Sequence, residues 1–87
     1  MAKYSIIFKA SVSKDLRVIP NRDVKRILEK IDALAENPRG CGSVKLSGKE
    51  QYRIRVGLYR IIYEIIEKER IVRVVKVDHN AQTHKIT

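Results

Sequence analysis

The chain has 87 residues and a formal net charge of +9, the balance of 19 Lys and Arg against 10 Asp and Glu. This length and a hydrophobic content of 44% allow one core, so residues 1–87 are predicted to form a single domain. The excess of positive charge favours nucleic acid, an acidic protein or an anionic membrane surface as a partner.

The cysteine count and the hydropathy pattern exclude several classes of protein. Cys41 is the only cysteine, so an internal disulfide and a zinc site built from four cysteines are excluded. No apolar run approaches the roughly 20 residues of a membrane-spanning helix, and the first residues lack the apolar segment of a signal peptide. We therefore expect a cytoplasmic protein without a membrane partner, and the sequence indicates neither a metal nor a cofactor.

A strand and a short helix are predicted at the beginning of the chain. Residues 3–8 alternate with the period of two that indicates a strand. The helix that follows is predicted to be capped by Ser11 or Ser13 and to end before Pro20.

A second, longer helix is predicted to begin at Asn21. Apolar residues recur at spacings of three and four along one side of it, which is the pattern of an amphipathic helix. The residue before a proline is driven out of the helical region, so Asn37 and Pro38 are predicted to end the helix. The apolar stripe consists of Val24, Ile27, Leu28, Ile31, Leu34 and Ala35.

Residues 51–77 carry the clearest strand signal of the chain and divide into three predicted strands joined by two turns. Gly57 and Leu58 suit a two-residue hairpin of type II′, with glycine at the first central position. Residues 67–70 form the second, longer turn. The resulting order is β-α-α-β-β-β, an α+β domain with two N-terminal helices packed on one face of a small antiparallel sheet.

Arginines stand on the otherwise hydrophobic strands of this region. Arg53 and Arg55 alternate with apolar residues, so the period of two separates a guanidinium face from an apolar face. The hairpin is predicted to pair them with Arg60 on the next strand. A face of this kind suits a polyanion; the alternative is a solvated strand face with ion pairs to Glu64 or to the glutamates of the second turn.

The whole chain resembles the RelE/ParE superfamily of bacterial and archaeal toxins. No single segment is diagnostic, but the order and spacing of the segments together are. The resemblance implies a RelE-like fold and a toxin of a type II toxin–antitoxin system. It is carried by Lys45-Leu46-Ser47-Gly48, Tyr52-Arg53-Ile54-Arg55-Val56-Gly57, Tyr59-Arg60-Ile61-Ile62-Tyr63 and Val77-Asp78-His79.

The resemblance also implies a chemistry and its residues. RelE-like toxins are metal-independent mRNA endonucleases of the ribosomal decoding site. In them a ribose 2′-hydroxyl attacks the adjacent phosphate, which leaves a 2′,3′-cyclic phosphate and a 5′-hydroxyl. The family's basic strand residues correspond to Arg53 and Arg55 and its transition-state arginine to Arg60, whose planar fork matches phosphate oxygens. Arg55 and Arg60 are thus predicted to be catalytic. Further RNA or phosphate contacts are predicted from Lys45, Lys49 and Lys85.

Proton transfer requires another group, because the high pKa of arginine makes it a poor general base. His79, His84 and Glu50 are the candidates, and the near-neutral pKa of histidine favours the first two as catalytic residues. Relatives often end in the pattern H-R-R-x-x-Y, whereas neutral residues stand at both arginine places here and His84 stands about where the tyrosine would. Either His84 replaces the tyrosine, or cleavage is weak, or the tail carries inactivating substitutions.

Three functional hypotheses follow. The first is a ribosome-dependent mRNA endonuclease that a cognate acidic antitoxin neutralises in a hetero-oligomer. The second is a ParE-type toxin, which shares the fold but acts on DNA gyrase. The third is a small basic RNA-binding protein without catalysis, including a weakened RelE-like toxin that only binds RNA and antitoxin.

Overall fold

The computed structural model describes residues 3–40, 42–46 and 50–79. Two helices pack on one face of a five-stranded sheet with the strand order β1-β5-β4-β3-β2, so the predicted α+β fold is confirmed. The elements are β1 (Ser5–Phe8), α1 (Ser11–Arg17), α2 (Asn21–Leu34), β2 (Val44–Lys45), β3 (Gln51–Val56), β4 (Tyr59–Ile66) and β5 (Ile71–His79).

The sheet is mixed, so the prediction of an antiparallel sheet is corrected at one pairing of strands. β1 runs parallel to β5, with Ser5 opposite Ile71 and Phe8 opposite Val74, while the other neighbouring strands are antiparallel. Parallel neighbours need a long crossover connection, which here runs through both helices and most of the sheet. The structure also adds β2, a strand of two residues that is too short to leave a periodic signal in the sequence.

The core lies between the helices and the inner face of the sheet, which is the face turned toward them. Ile61 and Tyr63 on β4 are completely buried and belong to the same cluster as Ile27 and Ile31 on α2. Full burial of such a side chain stabilises the fold by about 1.5–3 kcal/mol. Leu28, which the sequence predicted in the same stripe, lies at its margin and is 41% exposed.

The helix ends differ from the prediction. Neither Ser11 nor Ser13 caps α1: Ala10 is the residue before the helix, and the Ser13 hydroxyl donates to its carbonyl oxygen at 3.2 Å. α2 ends at Leu34, before the predicted end at Asn37 and Pro38. The two residues that follow Leu34 form a turn. Among the residues described, no helix is long and apolar enough to cross a membrane.

Both predicted turns are confirmed. Gly57 has φ 59°, the left-handed conformation that a type II′ hairpin requires at its first central position. The second turn is a short 3-10 segment, Glu67–Glu69, which is followed by Arg70 at φ 54°. The two turns place β3, β4 and β5 side by side.

A β-bulge interrupts β5 at Val75. The pairing of β4 with β5 steps from Ile62–Lys76 to Tyr63–Val74, so Val75 has no partner on β4. Because side chains alternate along a strand, one extra residue moves every later side chain to the other face. The residues after the bulge therefore lie on the faces opposite to those that strict alternation predicts.

Candidate nucleic-acid interface

Three arginines, Arg53, Arg55 and Arg60, lie on the outer face of the sheet, the face turned away from the helices; we call them the arginine cluster. Arg55 is directly opposite Arg60 across the β3–β4 hairpin, and Arg53 lies two residues before Arg55 on the same side of β3. Directly opposed side chains have Cβ atoms about 4.5–5.5 Å apart, and like charges at this distance destabilise the sheet. The cluster therefore concentrates positive charge at a cost in stability.

Asp78 on β5 holds the side chain of Arg60. The two residues are opposite one another, and Nη2 of Arg60 lies 3.3 Å from Oδ2 of Asp78. The side chains are only 22% and 19% exposed, and Nε of Arg60 is buried without a hydrogen-bond partner among the residues described. Within this part of the chain neither Arg53 nor Arg55 forms an ion pair. The cluster therefore keeps most of its charge.

Sequence reasoning missed both Asp78 and a fourth cation, Lys76. Lys76 is opposite Ile62 and exposed, so it lies on the outer face beside the cluster. Strict alternation from Val74 would direct Lys76 and Asp78 toward the helices, and the bulge reverses this. The sequence does carry a signal of the bulge. The inward residues Val74 and Val77 are three positions apart, whereas strict alternation separates residues of one face by an even number of positions.

His79 does not lie beside the arginine cluster. It is opposite Tyr59, whose ring it meets edge to face with the ring centroids 5.1 Å apart. Tyr59 packs against the core, so His79 lies on the inner side of the sheet. The bulge is again the physical reason, because strict alternation would have placed His79 on the face of Arg60. The structure thus separates His79, one of the two histidines predicted to be catalytic, from the predicted catalytic arginines.

Lys45 is also turned away from the cluster. Lys45 on β2 is directly opposite Tyr52 on β3, a buried residue of the inner face. Nζ of Lys45 lies 3.4 Å from Oε2 of Glu50, so a predicted phosphate ligand and a candidate proton acceptor form an ion pair with each other. Three further predicted site residues lie outside the described residues: Lys49, His84 and Lys85.

The glutamates that could have neutralised the cluster bind other residues. Glu64 accepts hydrogen bonds from Arg73 at 2.7 Å and from Gln51 at 3.1 Å. Burial alone would raise the pKa of Glu64, but these two hydrogen bonds outweigh burial and hold its pKa below the usual value. Glu67 in the second turn accepts a hydrogen bond from Arg39 at 2.6 Å.

Three more tyrosines, Tyr4, Tyr52 and Tyr63, make contacts within the protein. Tyr52 and Tyr63 stack with centroids 5.8 Å apart, and the Tyr63 hydroxyl donates to the carbonyl oxygen of Pro38 at 2.6 Å. Burial raises the pKa of Tyr63. The Tyr4 hydroxyl donates to Glu67 at 3.0 Å. These contacts favour packing over base stacking for the three side chains.

The outer face is thus suited to a phosphodiester. Arginine forks supply paired donors to phosphate oxygens, and the Asp78 carboxylate lies beside them. In residues 3–40, 42–46 and 50–79, no group of three or more His, Cys, Asp or Glu side chains could hold a metal ion.

Comparison with known proteins identifies the family of the chain. A family model described as the ParE toxin of the type II toxin–antitoxin system parDE matches residues 6–84. RelE1 of Methanocaldococcus jannaschii is 28% identical over 87 residues, which is 95% of this chain and 97% of that protein.

Solved structures of toxin–antitoxin complexes share the fold. A chain of the RelBE2 complex from Mycobacterium tuberculosis superposes with a TM-score of 0.80 at 25% identity, covering 88% of this chain and 98% of that one. A chain of the archaeal RelE–RelB complex from Pyrococcus horikoshii gives 0.79 at 26% identity, covering 94% and 99%. Since the family model matches nearly the entire sequence, the chain belongs to the ParE toxin family of type II toxin–antitoxin systems, within the RelE/ParE superfamily.

Proposed function

We propose that this toxin is a ribosome-dependent mRNA endonuclease of the RelE type. The observation that supports the proposal most is the arginine cluster, in which Arg55 and Arg60 are directly opposed and Arg53 lies beside them. Two like charges in this position repel each other, and an anion bound between them relieves the repulsion. A phosphodiester fits because each guanidinium can bind two of its oxygens.

In the proposed reaction the ribose 2′-oxygen attacks the adjacent phosphorus while the bond from phosphorus to the 5′-oxygen breaks. The products are a 2′,3′-cyclic phosphate and a 5′-hydroxyl. Arg55 and Arg60 stabilise the negative charge that develops on the phosphate oxygens, and Arg53 binds a neighbouring phosphate. The 2′-hydroxyl gives up its proton to a base, and the 5′-oxygen takes up a proton as it leaves. His84 is the proposed residue for one of these transfers, with water for the other, because His84 stands about where relatives have a tyrosine.

Mapping of RNA ends in a cell-free translation extract tests the proposal. The wild-type toxin is expected to stop synthesis and to create new 5′ ends inside the coding sequence of a defined transcript. The same transcript without ribosomes is expected to stay intact. Inhibition of translation without new 5′ ends would contradict the endonuclease proposal.

A ParE-type inhibitor of DNA gyrase is the second candidate, and the ParE description of the matching family model favours it. Supercoiling of relaxed plasmid by purified gyrase distinguishes the two. Loss of supercoiling with intact translated mRNA would select the gyrase inhibitor. RNA binding without either effect would select the third hypothesis, a binding protein without catalysis.

We further propose that an acidic antitoxin holds the toxin inactive in a hetero-oligomer. The relatives from M. tuberculosis and P. horikoshii were solved as complexes of toxin and antitoxin. A toxin with a net charge of +9 attracts an acidic segment at long range. Apolar contacts are then needed to keep the segment bound.

The proposed docking surface is the groove beside β1. Two adjoining clefts of about 460 and 450 Å³ share the side chains of Phe8 and Leu28, which are 46% and 41% exposed. Lys25 lines the first cleft beside Glu29 and Asp32, and Lys9 lines the second. An amphipathic acidic segment can place apolar residues on Phe8 and Leu28 and carboxylates near the two lysines.

A further inference from the structure

We propose that Lys76 forms a second phosphate subsite, so that a single-stranded RNA lies on the outer face along the direction of β3, β4 and β5. The identity of the ligand rests on the proposed ribonuclease function. The position of the subsite rests on the register of the three strands.

Lys76 completes a row of side chains that runs across the sheet. It is opposite Ile62 on β4, and Ile62 is opposite Arg53 on β3. We call Arg53, Ile62 and Lys76 the Lys76 row. Neighbouring strands lie about 4.8 Å apart, so the backbones at the two ends of the row are about 10 Å apart. The next row toward the hairpin contains Arg60 and Asp78.

The Lys76 row has a positive charge at each end and no acidic member. Lys76 is exposed and forms no ion pair with any residue that the structure describes. The carboxylate next to it along β5, Asp78, is held by Arg60. Ile62 between the two cations is half-buried and offers apolar contact without a competing charge.

The two rows together suit consecutive phosphates of one strand. The row of Arg60 and Arg55 receives the phosphate that reacts, and the Lys76 row receives its neighbour. Long Lys and Arg side chains adapt to the spacing of a flexible single strand, and neutralising each phosphate releases its counterions.

RNA fits this surface better than an acidic protein segment does. Apolar anchors supply most of the residence time of a protein contact. The two rows contain one apolar side chain, Ile62, and the Lys76 row meets one more, the exposed Val44 opposite Arg53 on β2. The exposed apolar side chains Phe8 and Leu28 lie in the groove beside the helices instead.

Equilibrium binding of a short 2′-O-methyl RNA, which cannot be cleaved, tests the subsite. Fluorescence anisotropy would give Kd for wild type and for Lys76→Ala between about 0.05 and 0.3 M NaCl. Loss of one phosphate contact is expected to lower the slope of log K against log salt by about 0.7 and to weaken binding about fivefold at about 0.1 M salt. Lys76→Arg is expected to keep the wild-type slope.

Lys68→Ala is the matched control. Lys68 is an exposed lysine in the turn that joins β4 to β5, at the end of β4 opposite to the β3–β4 hairpin. Lys68→Ala removes the same charge and is expected to change Kd less than twofold. Equal losses in Lys76→Ala and Lys68→Ala would overturn the subsite, and so would absence of RNA binding by the wild type. Weakened antitoxin binding with unchanged RNA binding in Lys76→Ala would assign the surface to the protein partner and overturn it as well. A wild type that binds RNA through Lys76 but never cleaves translated mRNA would contradict the proposed function alone.

Discussion

Arg60 is held more loosely than its partial burial suggests. Its contact with Asp78 is a single hydrogen bond of 3.3 Å, whereas charge-assisted bonds of this type are usually about 2.7–2.9 Å long. Its Nε is buried without a partner in the described part of the chain, which costs about 1–3 kcal/mol. A phosphate that accepts two shorter hydrogen bonds therefore competes well with Asp78 for this guanidinium.

Arg60→Ala is expected to slow mRNA cleavage by about 10²–10³-fold, the usual effect of losing one donor to transition-state charge. Arg60→Lys is expected to be impaired too, since one ammonium cannot reproduce a bidentate contact. Growth inhibition at equal expression and 5′-end mapping measure the effect. Arg22→Ala, at an exposed arginine of α2, is the control. A fully toxic Arg60→Ala protein would remove the arginine cluster from the mechanism.

His84→Ala is expected to slow cleavage by about 10²–10⁴-fold, the range for loss of a general acid or base. The matched variant is His79→Ala, which removes a ring that packs on Tyr59 and is expected to lower Tm while leaving the cleavage rate near that of wild type. Single-turnover cleavage and thermal unfolding separate the two effects. Slow cleavage by His79→Ala with normal cleavage by His84→Ala would exchange the two assignments.

The β3–β4 hairpin sets the position of the arginine cluster, and Gly57 determines its turn. A side chain at residue 57 would meet only Nη1 of Arg26 at 4.0 Å, so the space is open and the constraint is the φ of 59°. Gly57→Ala is expected to destabilise the protein by about 1–2 kcal/mol, and Gly57→Asn by less, because Asn tolerates the left-handed conformation better. Urea unfolding measures both. Equal stability of Gly57→Ala and wild type would contradict the type II′ hairpin.

Acid is expected to lower the stability of the protein by protonating Glu64, the carboxylate on β4 that binds Arg73 on β5. The pKa of Glu64 is lowered in the folded state, so the unfolded chain binds the proton first, at its usual pKa of about 4.3. The stability that Glu64 contributes is therefore present above about pH 4.3 and is lost as the pH falls through the lower folded value. Tm between pH 6 and pH 3 is expected to fall less in Glu64→Gln than in wild type. Glu29→Gln, at an exposed position on α2, is expected to follow the wild-type curve.

Elements with local signals could be predicted from the sequence, whereas long-range pairings could not. The stripe of α2, the alternation of Arg53 and Arg55 and the glycine of the hairpin all act within a few residues. The parallel pairing of Ser5 with Ile71 joins distant parts of the chain, and no local pattern encodes a partner strand.

The candidate site was predicted in part, for the same reason. The arginine cluster follows from the period of two, but Lys76, Asp78 and His79 depend on the single extra residue at Val75. One such residue exchanges the two faces of a strand. The helix-facing position of His79 therefore could not be read from alternation.

At the scale of the molecule, the proposed RNA surface and the proposed antitoxin groove occupy different sides. The arginine cluster lies on the outer face of the sheet, while the groove at Phe8 and Leu28 lies between β1 and the helices. An antitoxin anchored in the groove must therefore extend around the sheet to shield the cluster.

Salt is expected to slow antitoxin association while leaving dissociation almost unchanged. Between about 0.05 and 0.5 M salt the Debye length falls to a few ångströms, which removes long-range steering. Surface-binding kinetics measure both rates. Lys25→Ala is expected to lower the association rate, whereas Phe8→Ala is expected to raise the dissociation rate. An association rate insensitive to salt would show that charge complementarity does not bring the two proteins together.

The pairing of β1 with β5 also fixes the order in which the toxin can be assembled. Ser5–Phe8 is made before β3 and β4, but its neighbour Ile71–His79 emerges only after them. Until then the sheet lacks β5, the strand that lies between β1 and β4, and Arg60 has no Asp78 beside it. Contacts so distant in sequence form late in folding. The nascent toxin is therefore incomplete until Ile71–His79 has been made, which leaves an interval for a newly made antitoxin to meet a chain that cannot yet act.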